Sequence, residues 1–522
     1  MAERLRLTVA CGDYEIVRAL KEGAVKADGL DLVMLTGMGP RERHWRMARK
    51  AEFDVCEANV GAYFMERDHG IPLTAIPVFL HRRFRHGFLF VNAAAGIREP
   101  KDLIGKKVGG TNFQPASNIW MRGILEEDYG LPHRQVTWMV ERSEDVAFTP
   151  PKDLRIEMIA PGKKLDLMLS VQDHLYLAAP AMEKYWGRAR AEQSAGEGGA
   201  KPRRRARGHG RHVPAATSIP NRLLDLVMLT GMGPRERHWR MARHAEFDIC
   251  EANVGAYFME RDHGIPLTAI PVFLHRRFRH GFLFVNAAAG IREPKDLIGK
   301  KVGGTNFQPA SNIWMRGILE EEYGLPHRQV TWMVERSEDV AFTPPKDLRI
   351  EMIPSGKQLD VMLAEGEIPA MLSPELPPLF LKGDKRIVRL FPNYKDVELA
   401  YFRRTGIFPI MHVTTIRQEI VDKYPWVPTN LVKAFEAAKN LAYRRIANPR
   451  MVPIAWVRTA LEEQEEVLGP DPWAYGLTPA NRENLETVLR YTHQQGMISR
   501  TLPLDALFAD TDLGDAGGPD GI

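Results

Sequence analysis

The sequence predicts an α/β protein, and two observations predict it. Apolar runs of strand length alternate with helical segments through most of the chain, and 129 residues of that alternation occur twice. Residues 31–159 recur at 225–353 with a constant offset of 194 and three differences, Lys50/His244, Val55/Ile249 and Asp128/Glu322. A unit of that length is too long for a solenoid repeat, so it reads as a duplicated piece of one domain. The copies are unequal. Only the first follows a leader, residues 1–30, and only the second continues through 365–522.

The elements follow in order. Residues 5–9 (Leu-Arg-Leu-Thr-Val) alternate as a strand does. In copy 2 the runs 224–229, 247–250, 267–273, 281–285, 301–303, 330–334 and 359–363 are of strand length. The clearest helix between them is 311–323, entered through Pro309 and closed by Gly324. Three helices finish the chain: 430–447 behind Thr429, 454–467, and 479–495 behind Thr478, with Pro479 at its favoured first position and Gly496 beyond. Strand and helix in alternation argue for parallel sheets, in which ligands sit at strand carboxyl ends and helix N-termini.

Composition narrows the function classes. The 522 residues are 44% hydrophobic and 26% charged, an ordinary globular balance. The net charge of +5 is concentrated between the copies, where 186–213 carries eight Lys/Arg against two Glu among Gly, Ala and Ser. Beyond Trp186 at its edge, no aromatic is interleaved there to stack bases and no apolar stripe is present to enter a bilayer, so a solvated linker is expected, with no nucleic acid or membrane as partner. No run approaches the ~18 apolar residues of a membrane span, and the start shows no apolar signal region; a cytoplasmic location is expected. Cys11, Cys56 and Cys250 are too scattered for a disulfide framework or a zinc site. His238 and His244 lack ligand spacing, and no metal is expected.

Two clusters carry chemistry. Arg276, Arg277, Arg279 and His280 place three guanidinium groups and an imidazole within five residues after an apolar run. Arginine grips carboxylates bidentately, which points to a small anionic substrate; a solvated basic turn is the plain alternative. The loop Gly303-Gly304-Thr305-Asn306-Phe307-Gln308 leads into the Ser311 helix and offers backbone N–H groups to an anion, or is a simple glycine turn. It lacks the Lys-Ser/Thr ending of a nucleotide P-loop.

The leader 5–14, the runs 246–251 and 276–281, the helix 312–317, the segment 404–412 (Arg-Thr-Gly-Ile-Phe-Pro-Ile-Met-His) and the tail motifs Tyr475-Gly476-Leu477, Asn481-Arg482 and Gln494-Gln495-Gly496 together resemble the 4,5-dihydroxyphthalate decarboxylase family. The resemblance covers 1 to about 169 and 225 to about 510. It implies a type II periplasmic-binding-protein-like fold of two α/β lobes, here with a duplicated partial copy. It also implies a domain plan: 1–169 as partial copy 1, 170–222 as a disordered linker, 223–510 as copy 2 with the return and the C-terminal helices, and 511–522 as a tail. One complete unit could then be assembled from about 1–30 plus 225–510, with 31–224 as an insertion.

Decarboxylating such a ring needs a clamp on the retained carboxylate, a group at a phenol and a proton donor to the carbon; no organic cofactor is required in principle. The expected clamp is Arg276, Arg277 and Arg279, with His280 as proton donor and Glu251 or His412 at the phenol. A hydrogen-bonded core histidine is the plain alternative for His412. Arg403, Arg404 and Thr405 should approach from the return segment. Asn306, Gln308, Ser311 and Trp314, with Cys11, Gly12, Asp13 and Tyr14 of the leader, complete the substrate-binding set. Copy 1 repeats Glu57, Arg82, Arg83, Arg85 and His86 without any return residues, so no competent site is expected there. The alternative function is a solute-binding protein of a transporter for an aromatic or organic carboxylate, which would need the same cleft and no catalytic acid.

Overall fold

A computed structural model describes residues 4–92, 95–144, 146–160, 174–177, 226–229, 232–244, 246–448 and 450–511. The chain divides into two compact units, Met1–Thr217 with Tyr443–Leu461, and Ser218–Ala442 with Glu462–Ile522. The expectation of a disordered linker over 170–222 falls, apart from 174–177, outside the described residues, as does the tail from 512 onward.

Unit 1 contains β1 (Leu5–Ala10), β2 (Leu30–Leu35), β3 (Val55–Cys56), β4 (Leu89–Phe90), β5 (Lys107–Gly110), β6 (Thr137–Val140), β7 (Arg155–Met158) and β8 (His174–Leu177). Its sheets have the orders β2-β1-β3 and β4-β8-β5-β6-β7. The pairing of β1 corrects the assembly of 1–30 with 225–510. β1 runs parallel to β2 from Leu5↔Leu30 to Ala10↔Leu35 and touches β3 at Val9↔Val55 and Ala10↔Cys56. A short crossover reaches β2, whereas the equivalent strand of copy 2 is about two hundred residues away, and the shorter closure costs less entropy. The counterpart of β2 in copy 2 forms no strand over its described residues 226–229, where Val227 is 83% exposed.

Unit 2 contains β9 (Ile249–Asn253), β10 (Leu267–Ile270), β11 (Leu283–Asn286), β12 (Lys301–Gly304), β13 (Thr331–Val334), β14 (Arg349–Met352), β15 (Ala370–Leu372), β16 (Ile387–Arg389) and β17 (His412–Arg417). The chain makes β9 and β10, crosses into a six-stranded sheet of order β14-β13-β12-β15-β11-β16, and returns as β17. β17 inserts antiparallel between β10 and β9, from Leu267↔Arg417 on one side and His412↔Asn253 on the other. The two crossing segments meet at the antiparallel bridge Arg276↔Ile410. This out-and-back path gives unit 2 the two-lobed α/β architecture of periplasmic binding proteins.

The helix Ala310–Tyr323 ends at Gly324, whose φ of +61° suits glycine. Pro479–Gln494 starts behind Thr478, whose side chain accepts from the Asn481 N–H. These two helices pack closely because residue 317 is glycine: a Cβ there would lie 2.2 Å from the Tyr491 ring. One expected strand is a helix. Residues 359–363 open Leu359–Glu365, which buries Leu359, Met362 and Leu363 at helical spacing and stops at Gly366 with φ +79°. A short apolar run is compatible with either state, and the glycine cap decides for helix.

Candidate functional site

In β9 the side chains alternate, so Cys250 and Ala252 enter the core while Glu251 faces the other way, half-buried. β17 places Thr414 opposite Glu251 and His412 two residues further. The Glu251 carboxylate meets His412 Nδ1 at 2.6 Å and forms an ion pair with Arg237 from the helix Pro234–His244. Burial opposes ionisation of Glu251, but His412 and Arg237 more than offset it and hold the carboxyl below its usual range. A carboxylate only accepts, so Nδ1 carries the hydrogen and Nε2 is left for chemistry. The His275 ring stands edge-on to His412 at 4.8 Å, and its Nε2 is buried without a hydrogen-bond partner. Burial, then His412 and Arg277, push His275 down to about 4, so it is neutral at pH 7.

The same crossing segments border a cleft of about 430 Å³ lined by Arg276, Arg277, Phe278, Phe282, Glu375, Leu376, Glu398 and Phe408. That volume suits a single small ring. Arg277 donates to the Pro374 carbonyl at 3.1 Å and to Glu375 at 3.2 Å, and lies over Phe282. Arg276 is buried, with its donors on Asn481 Oδ1 at 2.6 Å and the Ala474 carbonyl at 3.0 Å. Arg279 is also buried and grips the carbonyls of Ser373 and Pro374; burial brings it down to about 9, still charged at pH 7. Of the expected three-arginine clamp, Arg276 and Arg279 therefore spend donors on the fold itself.

Other expected residues are placed elsewhere. His280 is 1% exposed, caged by Tyr323, Phe391 and Tyr401, with neither ring nitrogen hydrogen-bonded. Burial pushes it down to about 4, which disfavours the imidazolium a proton donor at pH 7 would need. The glycine loop does bind an anion, but an internal one: Glu338 accepts from the N–H groups of Phe307 at 2.7 Å and Gln308 at 3.0 Å, and from Asn306 at 3.2 Å. Gln308 is tied to the Val340 backbone, Ser311 is buried, and Trp314 donates to the Ile410 carbonyl. Arg403 and Arg404 are exposed, Arg404 paired with Glu322, and Thr405 closes its helix on the Tyr401 carbonyl.

Cys11, Gly12, Asp13 and Tyr14 belong to unit 1. There Gly12 N–H and the Tyr14 hydroxyl donate to Glu57 at 2.9 and 2.6 Å, Arg43 pairs with the same carboxylate, Cys11 is buried, and Asp13 pairs with Lys21 and Arg445. Sequence reasoning missed Arg237, His275 and Glu398. His275 adjoins the arginine run and could have been included; nothing in the spacing marks the other two.

The family model described as NMT1/THI5 like matches residues 15–176 and 225–343. The chain is 32% identical over 289 residues to a 4,5-dihydroxyphthalate decarboxylase of Comamonas testosteroni, covering 54% of this chain and 87% of that protein. It is 33% identical over 177 residues to a 4,5-dihydroxyphthalate decarboxylase of Pseudomonas putida, covering 33% of this chain and 69% of that one. Among solved structures, the periplasmic aliphatic sulphonate binding protein SsuA from Escherichia coli matches at 12% identity and a TM-score of 0.30, over 53% of this chain and 80% of that one. The chain belongs to the NMT1/THI5-like family and, within it, to the 4,5-dihydroxyphthalate decarboxylases.

Proposed function

We propose that this protein is a carboxy-lyase that converts 4,5-dihydroxyphthalate to protocatechuate and carbon dioxide. The observation that carries this is the 32% identity that spans 87% of the Comamonas decarboxylase. The geometry of unit 2 supports it. Phe278, Phe282 and Phe408 line a cleft that would take an aromatic ring, and Arg277 in the same lining would take a carboxylate. His412 opens β17 two residues after the bridge at Ile410, with Glu251 beside it on β9; His412 Nε2 is the group to draw a proton from a phenol, with Glu251 holding the imidazole in the required tautomer.

Each carboxylate of this substrate is para to one hydroxyl. A phenolate there pushes electron density to the carbon that loses carbon dioxide, so the protein has to orient the ring, favour the phenolate and supply one proton. The test is direct: incubate the purified chain with 4,5-dihydroxyphthalate and follow carbon dioxide and protocatechuate. Release of both supports the lyase, whereas calorimetric binding of the same compound without product would leave a carboxylate-binding protein in its place.

A further inference from the structure

We propose that Glu398 delivers the proton to the ring carbon that loses its carboxylate, an assignment that rests on the decarboxylase reading. The helix Tyr394–Thr405 carries it, stopped by Gly406 at φ +67°. This helix lies hard against the short turn His280–Phe282, because a Cβ on Gly281 would sit 2.8 Å from the Tyr394 ring. The close approach lets the Gly281 N–H donate to Glu398 Oε1 at 3.1 Å and fixes the carboxyl on the wall of the cleft, beside Phe282 and Arg277.

The charged groups facing Glu398 come from every neighbouring element. Arg279 precedes the turn, Arg389 on β16 lies over the Tyr394 ring, and Arg276, Arg277 and Glu375 share the cleft. The cations and the backbone N–H groups favour the carboxylate, yet burial outweighs them and raises Glu398 to about 7. It therefore carries a proton in a large fraction of molecules at neutral pH, as an acid needs to. His280, the other titratable group of this turn, meets neither condition, being deprotonated and enclosed by aromatic rings.

The step balances. The phenolate electron pair moves through the ring to the carbon para to it, and that carbon forms a C–H bond with the proton of the Glu398 carboxyl. The bond from the same carbon to its carboxylate then breaks, its electron pair restores the aromatic ring, and carbon dioxide leaves. Glu398 remains as a carboxylate and regains its proton from water.

Glu398→Gln keeps an acceptor for the Gly281 N–H, so the turn should survive. In the full chain the expected result is a fall in kcat of about a hundredfold or more, with KM for 4,5-dihydroxyphthalate changed less than about threefold. Wild-type kcat should decline above about pH 7. A variant within about tenfold of wild type, or a flat wild-type profile from pH 6 to 8.5, would overturn the assignment and leave the decarboxylase reading intact. If the wild type makes no product, both fall. As a check independent of turnover, 13C NMR of glutamate-labelled protein should show a carboxyl titrating near neutral pH that is missing from Glu398→Gln, and its absence from the wild type would equally refute the proposal.

Discussion

Trp314 of unit 2 is fully buried, with its indole N–H on the Ile410 carbonyl, while the same residue of the repeat in unit 1, Trp120, is 63% exposed. Val254, Phe258, Phe273 and Ile313 are at most 2% exposed, and their counterparts Val60, Phe64, Phe79 and Ile119 are at least 42% exposed. Elsewhere the copies agree closely. Asn59 and Asn253 cap their helices alike, and Glu144 and Glu338 bind the same loop N–H groups. The helices 116–127 and 310–323 begin at the same point of the repeat.

The division falls between what the repeat can satisfy internally and what it cannot. β10 exists because β17 pairs with it, and β17 lies outside the repeat; the matching residues 71–80 of unit 1 form no strand. Burial of the helix Val254–Asp262 and of Ala310–Tyr323 depends on Pro479–Gln494, which also occurs once. Even the glutamate at this point of the repeat differs in this way. Glu57 has the leader's Tyr14, and Glu251 has the return's His412.

The largest effect expected from this difference is in stability. Trp314→Ala should cost unit 2 about 3–5 kcal/mol, since it opens a large cavity and strands the Ile410 carbonyl. Trp120→Ala should stay within about 0.5 kcal/mol for unit 1. Hydrogen exchange on peptides from 5–22 and 479–511, which lie outside the repeat, reports each unit separately. Similar losses in both units would mean that the exposed face of unit 1 is covered in solution.

Next comes turnover. Glu251→Gln should lower kcat by about a hundredfold, because the amide can no longer stabilise an imidazolium at His412. Glu57→Gln should leave kcat unchanged, since copy 1 has no counterpart in sequence to His412, Glu398 or Phe408. A loss of activity from Glu57→Gln would move the catalytic centre to unit 1.

A somewhat smaller effect is expected with pH. Buried His280 stays neutral to about 4 in the folded chain, whereas an unfolded histidine takes up a proton near 6.5. The unfolded state therefore binds more protons between those values, so stability is fully present above about 6.5 and falls as pH drops toward 4. From pH 7 to 5 the loss is about 2 kcal/mol. His280→Gln should remove that contribution from the pH dependence of unit 2, to which His275 and Glu398 also contribute, and His86→Gln, at an exposed position, should leave unit 1 unaltered.

These contrasts show how far the sequence could be read. The α/β alternation and the caps at Gly324 and Thr478 are local features and were legible; the glycine loop stayed open between an anion site and a simple turn, because its partner Glu338 lies about thirty residues on. The partner of β1 stayed open in the sequence because two nearly identical acceptors compete and only chain distance separates them. The arginine run promised a clamp, but the Arg276 partner Asn481 lies about two hundred residues on, where no spacing rule reaches. His280 differs from expectation, and Glu398 was missed, because both are set by burial, which depends on tertiary packing rather than on neighbours in sequence.

The finest contrast lies in one atom. Gly123 and Gly317 are the same residue of the repeat, each inside a helix, where glycine costs about 0.5–1 kcal/mol relative to alanine. Nothing lies within 4 Å of a Cβ built on Gly123, so Gly123→Ala should stabilise unit 1 by about that amount. At Gly317 the added methyl meets the Tyr491 ring at 2.2 Å, and that ring is held by its hydroxyl on Glu321 and by the edge of Trp314. Relief would require moving Pro479–Gln494, so Gly317→Ala should cost unit 2 about 1–3 kcal/mol. The sign of the change should therefore reverse between two identical residues. Gains at both positions would show that helix Pro479–Gln494 does not pack on Ala310–Tyr323, and losses at both would show that unit 1 has an equivalent of that helix against its own copy.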